Sequence, residues 1–63
     1  MEVYETSSGS RWRWCIIFPG LPILEQDERI AWCKQQGMDF SNIGVRFWFK
    51  EEAHKNWFLL RWS

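Results

Sequence analysis

Two short runs, RWRWCIIF at 11–18 and VRFWFK at 45–50, combine aromatic rings with basic side chains, and RWRW alternates the two strictly. Period two belongs to a strand with one face in a core and the other outside it. A chain of 63 residues cannot cover both faces of a sheet built from such runs. The sequence therefore poses a sorting problem: which rings form the core, and what the remaining ones do.

The rings matter because the chain is small. A domain of this length buries only about 60% of the surface its unfolded form exposes, so stability needs an extra source. Six Trp, five Phe and one Tyr supply it, since each buried ring removes roughly 150–250 Å² from water. One domain, 1–63, is the expectation. Eight basic and eight acidic residues balance to a net charge of zero, which argues against a dedicated non-specific nucleic-acid binder. Cys15 and Cys33 lack metal-ligand spacing and read as free, buried thiols in a reducing compartment.

Along the chain, MEVYET alternates weakly and SSGS is a turn signal before RWRWCIIF, so the first element pair reads as a β-hairpin. Pairing Thr6 with Arg11 sets Val3 beside Trp14 and Glu5 beside Trp12. Trp12, Trp14, Ile16 and Phe18 then face the core, with Glu5 a misfit at the edge. PGLP ends the strand. ILEQDERIAWCKQQG is a helix, with Pro22 suited to its first turn, acids near its start, Lys34 near its end and Gly37 as the terminating glycine. MDFSNIG reads as a loop.

The last stretch reads as a second hairpin, VRFWFK and WFLLRW flanking EEAHKN. Its register sets Phe49 opposite Phe58, Phe47 opposite Leu60 and Arg46 opposite Arg61. One face holds Val45, Phe47, Phe49, Phe58, Leu60 and Trp62; the other holds Arg46, Trp48, Lys50, Trp57, Leu59 and Arg61. The expected fold is α+β, a ββαββ antiparallel sheet with one helix across one face.

The uncovered face is the candidate site. Trp48, Trp57 and Leu59 form its apolar centre, and Arg46, Arg61, Lys50, Arg13 and Arg11 surround them. Trp and Arg are the residue types most often found at binding hot spots. Arg46 facing Arg61 is a like-charge pair that an anionic partner would relieve. The plain alternative is a solvated sheet whose Arg and Lys stems cover its own rings. Catalysis finds no constellation. His54, the single histidine, falls in the polar link, and there is no phosphate-cradling or metal-binding motif, so a non-enzyme without cofactor or metal is expected.

The segment FWFKEEAHKNWFLLRWS, an aromatic strand, an EEA segment and a close on LRW, resembles the ending of short phage-encoded proteins. AWCKQQG is similar to helix ends in the same group. The likeness spans residues 30–37 and 47–63. It implies a small phage protein of a class rich in inhibitors that bind one host protein, and it assigns no site residue. The expected partner is accordingly a protein, with a second copy of the chain or single-stranded nucleic acid as the other readings. No basic leader and no run of about 20 apolar residues is present, so a soluble, cytoplasmic protein that does not enter a membrane is expected.

Overall fold

The computed structural model describes residues 1–6 and 11–62. Within them the chain runs β1 (Glu2–Glu5), β2 (Trp14–Ile17), α1 (Ile23–Gln35), β3 (Phe40–Ile43), β4 (Arg46–Phe49) and α2 (Glu52–Trp62). The strands form one antiparallel sheet in the order β1-β2-β4-β3. The α+β class and the antiparallel sheet are as the sequence predicts. The element order is ββαββα, with two helices on one side of the sheet.

The difference lies in residues 52–62, expected as a strand and found as a helix. Glu, Ala, Lys, Leu and Arg in this stretch are strong helix formers, and no Gly or Pro interrupts it. Glu51 reaches His54 Nε2 at 3.4 Å and Glu52 reaches Lys55 Nζ at 3.6 Å, the i,i+3 spacing of neighbours on a helix surface. Helical geometry keeps Phe58 inside but turns Leu60 outward, where it is 85% exposed. The partner that β4 needs is instead β3, in the stretch expected as a loop. Gly44, at φ 58°, and Val45 make the two-residue link between them. A positive φ at the first link residue alone suits a hairpin turn with glycine leading.

Helix α1 lies where the sequence predicts. Gln26 Nε2 donates to the Leu21 carbonyl at its start. At its end the Met38 N–H donates to the Cys33 carbonyl and the Gly37 N–H to the Lys34 carbonyl, both 3.1 Å. With Gly37 at φ 68°, this is a Schellman termination. From Trp14 onward the first hairpin keeps its expected parity, but its register is shifted by two residues, with Glu5 opposite Trp14 and Val3 opposite Ile16. The turn expected at 7–10 lies outside the described residues.

The core sits between sheet and helices. Ile16, Phe18, Cys33, Met38, Phe47, Phe49 and Phe58 are buried in it. Phe58 is the hub, its ring centroid 5.1 Å from Phe49, 5.2 Å from Phe47 and 5.9 Å from Phe18. Trp14 packs at its margin beneath Lys55, whose Nζ lies 4.3 Å from the ring. Trp62, expected in the core, packs at its edge between the guanidinium groups of Arg29 and Arg61, at 4.4 and 3.9 Å.

Candidate interaction face

Both helices pack on one side, so every second residue of each strand points to the other. Register places two rows there. Tyr4, Cys15, Trp48 and Ser41 run across β1, β2, β4 and β3; Glu2, Ile17, Arg46 and Ile43 run beside them. The parity expected for β4 holds: Phe47 and Phe49 are fully buried, and Trp48 is more exposed than either.

Cys15 occupies the centre of the first row and has no exposed surface, though no helix covers it. The larger Tyr4 and Trp48 flank it. Side-chain hydrogen bonding with the Cys15 thiol, followed by the charge that thiol carries when ionised, raises the Tyr4 pKa above its ordinary value, and nearby Arg46 opposes the shift. Cys33 is buried on the helix side, where desolvation pushes its thiol up to about 12. The sheet thus separates two free thiols.

Trp12 is also on the open side, not in the core as its even number suggests. Regular pairing of β2 begins only at Trp14. Ahead of it, the Thr6 hydroxyl holds the Trp12 carbonyl at 2.7 Å, and the alternation of the strand does not extend back to residue 12. Lys50 Nζ lies 4.6 Å from the Trp12 ring. Trp12, Ser41, Ile43 and Trp48 line a groove of about 330 Å³.

The charges sort into bound and unbound. Lys50 pairs with Asp39 at 3.4 Å, and Arg13 pairs with Glu5 at 2.8 Å. Arg46 and Arg11 are exposed and enter no ion pair among the described residues. The expected set is therefore divided. Trp48, Arg46 and Lys50 share the open face, and Arg13 and Arg11 lie at its end, ahead of β2. Trp57, Leu59 and Arg61 do not belong to it, because α2 carries them on the opposite side of the sheet. Trp57 meets Trp32 edge-on at 5.8 Å, Leu59 packs against the core, and Arg61 lies over Trp62. The expected Arg46–Arg61 repulsion does not arise.

The weak alternation of MEVYET sets Tyr4 opposite in face to Val3, and the structure places Tyr4 on the open face. Sequence reasoning missed Ile17 and Ile43 as face residues; the Gly44 link two residues before β4 was the signal for Ile43. His54 is no loop residue: its Nδ1 accepts the Asp39 N–H at 3.3 Å and fixes α2 to the start of β3. Among the described residues, no three His, Cys, Asp or Glu side chains gather as a metal site, and no helix is long and apolar enough to cross a membrane. No family model, curated protein or solved structure matches the chain.

Proposed function

We propose that this chain is a non-enzymatic interaction module that binds a protein through the open sheet face. The partner presents apolar side chains to Tyr4 and Trp48 and carboxylates to Arg46 and Arg11. One observation carries this choice over single-stranded nucleic acid: the face is rich in rings but poor in uncommitted positive charge. Lys50 and Arg13 are each already held by a carboxylate, and Glu2 shares the face. Backbone-tracking grooves need several free cations for the phosphates. Aromatic anchors with one or two orienting arginines suit a protein surface. The phage-type ending implies that the partner is a host protein and that binding modulates it in the host cytoplasm.

The test immobilises the chain against a lysate of the candidate host. A single retained protein is expected, lost with Trp48→Ala and Tyr4→Ala and kept with Leu60→Ala. Binding should change little between 50 and 200 mM salt. Retention that survives both ring truncations overturns the reading. So does tighter binding to a labelled oligothymidine whose affinity collapses over the same salt range.

A further inference from the structure

The sheet has two outer strands, and they are defended unequally. β1 is Glu-Val-Tyr-Glu. Paired antiparallel with a copy of itself about its centre, it sets Glu2 against Glu5 of the other copy, and like charges directly opposite oppose such pairing. β3 is Phe-Ser-Asn-Ile, with no charge and no proline along an edge strand. Charged residues, prolines and bulges are the usual protections of an edge. β3 has none of the first two.

The ladder shows which groups of β3 are available. The Phe18 N–H bonds the Val45 carbonyl, so residues 45, 47 and 49 turn their main chain toward β2. Residues 46 and 48 then turn theirs toward Ile43 and Ser41 of β3, and alternation leaves the main-chain groups of Phe40 and Asn42 directed outward. A second β3 that bonds through these groups about a two-fold axis pairs Asn42 with Asn42. Ser41 of each copy then stands opposite Ile43 of the other, on the open face. Ile43 is 70% exposed, and the groove it would approach is lined by Ser41, Trp12 and Trp48.

We propose that β3 pairs antiparallel with β3 of a second copy, each Ile43 entering the other's groove, to give a continuous eight-stranded sheet. A net charge of zero sets no long-range barrier to this association. The two-fold axis runs perpendicular to the sheet, so both Tyr4–Trp48 rows face the same way. A four-residue ladder with one isoleucine exchanged per copy belongs at the small end of interfaces, below about 1,200 Å². The dimer is therefore reversible and concentration-dependent. This pairing is argued from the edge strand and does not rest on the partner reading, although the exchanged Ile43 approaches Trp48 on the same face.

Sedimentation of the purified chain over a wide concentration range, with amide exchange on the same samples, tests the pairing. The mass should rise from one chain toward two, and the Phe40 and Asn42 amides should slow in step. Ile43→Lys should raise the midpoint concentration by about tenfold or more. Leu24→Lys, at an 82% exposed position away from the edge, should leave it unchanged. A chain that stays monomeric throughout overturns the proposal. Association that survives Ile43→Lys, or that leaves the Phe40 and Asn42 amides indifferent to concentration, overturns it equally.

Discussion

The two faces of this sheet are made by the same strands and differ in kind. On the covered face, Ile16, Phe47 and Phe49 meet Phe18 and Phe58 from outside the sheet, and all are buried. On the open face Tyr4 and Trp48 stand among Glu2, Arg46 and Lys50. The five phenylalanines all belong to the core or pack against it. None of the six tryptophans is fully buried. The chemistry explains the sorting. A phenyl ring has no polar atom and is stable when dry, whereas indole and phenol carry an N–H or O–H that favours a boundary with water or a partner. Aromatic richness therefore serves two ends in one small chain.

The largest expected effect is at the hub of the covered face. Phe58→Ala should cost about 3–5 kcal/mol, much of the stability of a domain this small, and a denaturant melt should find the variant largely unfolded. Gly37→Ala sharpens the account of how α1 is positioned over the same face. Nothing lies within 4 Å of an added Cβ, so only the φ of 68° is at issue, and a loss of about 1–2 kcal/mol is expected from the same melt. Cys33 gives a smaller, pH-limited effect. Its thiol stays protonated in the folded chain up to about 12, above its value of 9.0 when free. Below pH 9 both states hold the proton and stability is unaffected. Above it the unfolded chain ionises first, so stability should fall as pH rises toward 12. Cys33→Ala should make that fall shallower in melts taken across the window. Smallest of all, Leu60→Ala should change stability by no more than about 0.5 kcal/mol, whereas a strand placing Leu60 beside Phe47 would make it a core deletion.

These contrasts show where the sequence was legible. Alternation sorted Phe47 and Phe49 from Trp48, and Ile16 from its neighbours, because one face of each strand is dry. Pro22 and Gly37 bounded α1 because both act through local backbone geometry. Residues 57–62 were illegible by pattern, since WFLLRW is apolar at five of six positions and fits period two as readily as 3.6. The decisive signal was in the link. EEAHKN holds no glycine or proline and puts Glu51 and Glu52 three residues before His54 and Lys55, which is helical spacing, not turn chemistry. That one error moved Trp57, Leu59 and Arg61 to the wrong side. β3 escaped notice because FSNI is short and half polar, and its hairpin is marked by Gly44 alone. The first hairpin slipped by two residues without harm to the faces of its paired residues, because an even shift conserves parity; only Trp12, ahead of the paired stretch, changed side.

Phe47 and Trp48 are adjacent in the chain, similar in bulk and pointed to opposite faces, so unfolding Phe47→Ala and Trp48→Ala side by side tests the division of labour most directly. Phe47→Ala should lose about 3–5 kcal/mol. Trp48→Ala should lose about 1 kcal/mol, the scale of cross-strand contacts on an uncovered face. Equal losses would contradict the account, because Trp48 would then belong to the core and the open face would not be free to bind.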